Sequence, residues 1–199
     1  MKLILFGILL LVAACIPPDS STAASMDVNP PLEQLYSPFK EKGRNRFASI
    51  EKRTFSRFGA ARKSPVSGHL HSGIDLGGKQ GEKVYAIGPG RVVRHYWVFP
   101  NLAVAVKHRL PDGNEFYSTY VHVMDVRVKE GEMVDENSEI GRLFNKTEMG
   151  LSHFKQPHLH LEIRKSMGDD GNNSFRSMTR KSLEEYCLDP LPFLKRYMR

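Results

Sequence analysis

Two short segments, His71-Ser72-Gly73-Ile74-Asp75 and His158-Leu159-His160-Leu161-Glu162-Ile163-Arg164, carry side chains able to hold a metal ion. In the second, polar and apolar residues alternate over seven positions, which predicts a half-buried strand. Leu159, Leu161 and Ile163 would face the core, with His158, His160 and Glu162 on the other side. On a helix the two histidines would stand roughly 200° apart. On a strand they stand side by side, about 6–7 Å apart at the backbone, so one can hold a metal while the other reaches its bound water. Glu162 is placed either to orient a histidine or to form a surface ion pair. The four-residue interval between His71 and Asp75 puts both on one face of either regular structure. Gly68, Gly73, Gly77 and Gly78 favour backbone that turns tightly or passes close to something. Two imidazoles, one carboxylate and an open water position make a catalytic rather than a structural zinc arrangement. The ion's two charges against the single charge of Asp75 would leave a positive centre that acidifies water.

Other histidines compete. His69 shares a face with His71 on an extended segment, and His122 follows Tyr120-Val121 at the end of a predicted strand, on the face of Tyr120, Ser118 and Phe116. His95, His108 and His153 read as ordinary surface or core residues. Any one histidine is more simply explained by a hydrogen-bonded structural role.

The elements that must position these residues are mainly β. Leu102–Val106 is a short apolar run, the mark of a strand buried on both faces. Pro111-Asp112-Gly113-Asn114 then supplies a tight turn into a strand over Glu115–Val123, giving a hairpin. Val84–Ile87 and Gly90–Val98 flank a Gly-Pro-Gly turn. Val126–Val134 and Glu139–Phe144 add short strands. Helix is expected only near Ser182-Leu183-Glu184-Glu185, read as a capped start.

The 199-residue chain is long enough for one core. Its 40% hydrophobic and 26% charged residues exclude wholesale disorder, collagen and a pure coiled coil. A net charge of +7 and a pI near 9.4 call for anionic surroundings. Met1-Lys2 and the apolar run Leu3–Leu11 are too short for a finished membrane span and read as a secretory signal. Export makes nucleic acid an implausible partner. Residues 16–39 contain five prolines, three acids and no base, the composition of an extended tether. Lys40–Lys63 then carries nine Lys or Arg against Glu41 and Glu51, either a solvated basic face or a contact for an anionic envelope polymer or membrane.

Several stretches resemble known families. Val12-Ala13-Ala14-Cys15 resembles the lipobox of bacterial lipoproteins, which implies a signal at 1–14 and membrane anchoring through lipidated Cys15. Ile16 after that cysteine fits outer-membrane sorting, facing the periplasm, in a cell with two membranes. The alternative is a plain signal cut after Ala14 or near Ala24. Were Cys15 lipidated, Cys187 would have no partner and stay a free, packed thiol. Arg57-Phe58-Gly59-Ala60-Ala61-Arg62, His71-x-Gly-x-Asp75, Val84-Tyr85-Ala86, Tyr120-x-His122, His158-Leu159-His160-Leu161-Glu162 and Asp189-Pro190-Leu191-Pro192-Phe193-Leu194 occur in the order seen in lysostaphin/LytM-type zinc endopeptidases. That resemblance implies an antiparallel β-sheet groove fold of the duplicated hybrid motif type, spanning 46–199 behind a tether and basic lead-in at 15–45. It implies one Zn²⁺ held by His71, Asp75 and His160, with His122 and His158 as base and transition-state stabiliser in unassigned order. The substrate would be bacterial peptidoglycan. A non-catalytic relative that activates another wall hydrolase is the alternative, though such domains typically lack ligands that this chain retains. Val123 after His122, where the family has Leu, and a glycine-poor approach over Leu151–Pro157 depart from the pattern.

Overall fold

The computed structural model describes residues 29–63, 68–152, 154–167 and 179–199. The lipobox, Cys15, the signal and His153 lie outside them.

A mainly antiparallel β fold is observed. The central sheet runs β1 (Thr54–Ser56), β4 (Ile74–Gly77), β11 (His158–Arg164), β8 (Glu115–Val121), β7 (Ala103–Arg109), β6 (Gly90–Tyr96) and β9 (Met133–Val134), with β12 (Cys187–Leu188) pairing the end of β11. Two small ladders join β5 (Lys83–Tyr85) to β10 (Glu139–Arg142) and β2 (Ala61–Arg62) to β3 (His69–Leu70). The turn at Asp112-Gly113 closes β7 onto β8 as the dipeptide predicts, with Gly113 at φ 86°. Antiparallel partners point to the same side, so register sorts the two faces. Leu159, Leu161, Ile163, Ile74, Leu76, Tyr120, Phe116, Val104 and Val106 lie on one face and are fully buried. His158, His160, Glu162, Asp75 and Val121 lie on the other.

Several expectations change. The seven-residue β11 is not half-buried: it is central, and Glu162 and Arg164 on its polar face have no solvent exposure. Over Val126–Val134 only Met133–Val134 is strand; the preceding backbone hydrogen-bonds irregularly to Ile140 and Arg142 and turns at Gly131. Helices are more numerous than read. They are α1 (Ala48–Glu51), α2 (Lys146–Ser152), α3 (Arg180–Tyr186) and α4 (Pro190–Tyr197). Thr179, not Ser182, caps α3, accepting from the Ser182 N–H. Asp189 caps α4, with Pro190 as its first residue.

The tether reading fails over its second half. Leu32, Leu35 and Phe39 are core residues, and Pro31 bridges Arg109. Two prolines do not prevent burial when leucine and phenylalanine follow at spacings of three and four. The strap so formed, α4 and the β5–β10 ladder pack on the core face, leaving the polar face for chemistry. Cys187 is the buried free thiol expected, its pKa pushed up to about 12 by burial.

Candidate metal centre

His71 sits just ahead of β4, fixed by backbone bonds to Ala60 and Gly59, and Asp75 lies within β4 opposite His160 on β11. Three side-chain atoms converge. His71 Nε2 is 2.8 Å from His160 Nδ1 and 3.0 Å from Asp75 Oδ1, which is 3.1 Å from His160 Nδ1. All three residues are buried. Each ring's second nitrogen faces an acceptor: His71 Nδ1–H donates to the Arg57 carbonyl at 2.8 Å, and His160 Nε2–H donates to Glu162 Oε1 at 3.0 Å. Those partners assign the tautomers and leave Nε2 of His71 and Nδ1 of His160 as lone pairs. Arg62 takes the other Asp75 oxygen at 2.6 Å, leaving Oδ1 inward. Three lone pairs aimed at one point repel unless a cation lies between them. A nitrogen–nitrogen–oxygen donor set from two histidines and an aspartate suits Zn²⁺.

The titration behaviour agrees. Burial opposes charge on His160, but hydrogen bonds to Asp75 and Glu162 outweigh it and raise its pKa to about 9. Burial works against the Asp75 carboxylate too, yet hydrogen bonds from His160 and His71 hold it far below the usual carboxylate range. Without an ion, the site gathers a proton instead. Arg62 offsets Asp75, and Arg164 Nη1, 3.0 Å from Glu162 Oε2, offsets Glu162. The protein's own charges therefore cancel, and the sequence tally that set Asp75 alone against the ion was incomplete.

Glu162 is thus no surface pair; it also accepts from the Ser72 hydroxyl at 2.5 Å. Gly73 explains that reach. A Cβ there would fall 2.3 Å from the Leu161 carbonyl oxygen, so only glycine lets this backbone lie against β11.

His122 arrives by a break in regularity. Val121 pairs with His160, so on a continuing strand His122 would join Tyr120 on the core face, as the sequence suggested. Instead β8 ends at Val121 and His122 has φ 68°. Its ring lies 4.9 Å from His158 and 6.2 Å from His160, centroid to centroid. Positive φ is uncommon outside glycine and costs about 1–3 kcal/mol. Nδ1–H of His122 donates to the Pro100 carbonyl at 2.8 Å, and Nδ1–H of His158 to that of Gln156 at 3.0 Å, leaving Nε2 of each ring as the base. Burial, then repulsion from His158 and His160, pushes the His122 pKa down to about 3, and burial lowers that of His158. Both are neutral imidazoles at pH 7. Phe154 stands edge-on to both rings, at 4.5 and 5.0 Å, and Phe55 edge-on to His158 at 5.6 Å.

The structure therefore brings together all five histidine and aspartate positions singled out in the sequence. His69 is buried on β3 and stays out of the trio, the one such cluster among the described residues. His108 is a core residue between the Pro89 carbonyl and Ser118 Oγ. Sequence reasoning gave no role to Arg62, Ser72, Arg164 or Phe154. For Arg164 the signal was present: it continues the alternation one step past Glu162.

Residues 69–174 match the model of peptidase family M23. Peptidoglycan DD-endopeptidase ShyC of Vibrio cholerae is 32% identical over 115 residues, 56% of this chain; the chain spans about a quarter (24%) of that relative's length. Among solved structures, the catalytic domain of the antimicrobial peptidase lysostaphin from Staphylococcus simulans superposes with a TM-score of 0.52 at 22% identity. The match covers 73% of this chain and 95% of that one. LytU gives 0.50 at 23% identity, over 72% and 85%. At such identities both bear on the fold.

Proposed function

Because the chain belongs to peptidase family M23, we propose that its buried His-Asp-His trio is the metal centre of a zinc-dependent endopeptidase that hydrolyses peptide bonds of bacterial peptidoglycan. One observation carries the reading: three lone pairs with partner-fixed tautomers converge beside two neutral imidazoles. His71 Nε2, Asp75 Oδ1 and His160 Nδ1 would hold the ion. When bound, zinc supplies Lewis acidity and lowers the pKa of water at the site. The chain's own part follows from its hydrogen bonds. With Nδ1–H tied to a carbonyl, His122 and His158 each offer Nε2 to take a proton from attacking water. Once protonated, the same nitrogen donates to the tetrahedral oxyanion or the leaving amine. The depressed pKa values keep both rings unprotonated at neutral pH, the form a base needs.

Digestion of purified sacculi, with mass analysis of the fragments and metal analysis of the protein, tests the reading. One zinc per chain and peptide-bond products are expected. Full cleavage by chelator-treated protein would overturn it. Bound zinc without cleavage, together with stimulation of another wall hydrolase, would favour the non-catalytic role. Export and anchoring through Cys15 are proposed on Val12-Ala13-Ala14-Cys15 alone: Cys15→Ser should move the protein from membrane to soluble envelope fractions, and a wild type already soluble would refute it.

A further inference from the structure

The polar face of β11 does not stop at the metal ligands. Glu162 and Arg164 follow His160 at alternate positions, and both are fully buried. Two buried charges in mid-sheet are a weak source of stability, because desolvation offsets most of their attraction. Their arrangement has a direction, however. Arg164 donates Nε–H to the Ser166 carbonyl at 3.1 Å and Nη1–H to Glu162 Oε2 at 3.0 Å, so the guanidinium is anchored behind the carboxylate. Oε1 of the same carboxylate accepts from Ser72 at 2.5 Å and from His160 Nε2–H at 3.0 Å. Ser72 is itself delivered by the glycine at 73, whose absent Cβ would also lie 3.1 Å from Glu162 Cγ.

We propose that Glu162 is a positioning residue for the metal centre: held by Ser72 and backed by Arg164, it takes the Nε2–H of His160 and so turns the Nδ1 lone pair toward His71 and Asp75. The inference rests on the reading of His160 as a ligand. The other tautomer would put N–H, not a lone pair, in the centre, and a rotated ring would put Nδ1 against the carboxylate. Arg164 holds Oε2 and Ser72 takes one of the two acceptor positions of Oε1, so the other Oε1 position is the one that faces the His160 ring nitrogen. Arg164 cancels the carboxylate's charge, so Glu162 acts by direction more than by field.

Zinc affinity, measured against a competing chromogenic chelator, tests this. It is paired with long-range ¹H–¹⁵N spectra of the His160 ring in zinc-loaded protein. Glu162→Ala should weaken zinc binding about 10- to 100-fold and expose the Nε2–H to rapid solvent exchange. The double variant Glu162→Gln with Arg164→Met removes both buried charges but keeps an acceptor oxygen; it should bind zinc within about threefold of wild type with the Nε2–H still protected. Thermal melts of both variants separate positioning from folding. Wild-type affinity in a folded Glu162→Ala, or equal weakening in both variants, would overturn the proposal. A wild-type chain that binds no zinc would instead sink the underlying reading.

Discussion

The candidate metal centre and the basic lead-in over Lys40–Lys63 both stand out in the sequence by residue type, and they fold to opposite ends of electrostatic order. In the centre each carboxylate has a cationic partner: Asp75 has Arg62 from β2, and Glu162 has Arg164 two residues along the same strand. In the lead-in the nine cations divide. Arg53 joins Glu41 and Glu82 and lies over the Phe39 ring. Arg44 donates to the Ser37 and Glu136 carbonyls, and Arg62 is held by Asp75. Lys52 pairs with Glu41 at 2.8 Å, and with Lys42, Arg46 and Arg199 it lines a cavity of about 590 Å³. A cation count therefore overstates what is free for a partner, while strand alternation put His158, His160 and Glu162 on one face, as observed. Geometry, not abundance, separates the regions.

The sharpest way to break the contrast is within the centre. His71→Ala, Asp75→Ala and His160→Ala should lose both zinc and cleavage. His122→Ala and His158→Ala should keep zinc while turnover falls about 10²- to 10⁴-fold. Metal analysis beside a cleavage assay checks this, and full zinc in His160→Ala would refute the ligand set.

A buried histidine without a carboxylate sharpens it next. His108 is wholly buried, and burial lowers its pKa to about 4. The unfolded chain, with an ordinary histidine pKa near 6.5, then binds more protons than the folded one between those values. Stability supplied by the neutral ring is present above about pH 6.5 and is lost as pH falls toward 4, by about 3 kcal/mol in all. Denaturant titrations of wild type and His108→Gln at pH 7 and 4.5 should show the variant losing less over that interval. An equal loss would contradict it.

Within the lead-in, Arg53→Met should lower unfolding free energy by about 1–3 kcal/mol, since it removes the guanidinium's bonds to the Gly77 carbonyl, Glu41 and Glu82, whereas Lys42→Ala should stay within about 0.5 kcal/mol. Chemical denaturation separates them. The smallest effect is expected for Lys42→Ala with Arg46→Ala: weaker retention on sacculi at low salt, a difference shrinking above 0.1 M, where charges about 10 Å apart are screened. Cleavage of a small soluble peptide should be unchanged. Arg44 is unsuitable for that experiment, because its guanidinium holds backbone in place.

Much of this was legible because β periodicity is short. Alternation over seven residues of β11 and a four-residue interval around β4 fixed the faces of His160 and Asp75 without knowledge of partners. What alternation could not give was the end of a strand. His122 reaches the centre by leaving the pattern at φ 68°, and nothing local in Tyr120-Val121-His122-Val123 announces that. Helix α2 was missed although its signal was present. Asn145 Oδ1 accepts from the Thr147 and Glu148 N–H groups, and Glu148 reaches back to the Asn145 N–H, a reciprocal cap written as Asn-x-x-Glu. The strap at 29–39 differs from its composition for another reason: its prolines suit a tether, but the spacing of Leu32, Leu35 and Phe39 puts all three in the core.

That strap also decides how the domain carries a load. A pull applied at Asn29 meets its side-chain amide, which grips the Lys107 carbonyl, and then Leu32, whose N–H grips that of Arg109. From there it passes through Leu35 to the end of α4, and through Phe47 to Arg199. Strands β4 and β11 lie off this route. Such tension would be borne by the strap, β7 and the C-terminal helix, and the converging atoms of His71, Asp75 and His160 would keep their spacing while the rest of the molecule is tugged.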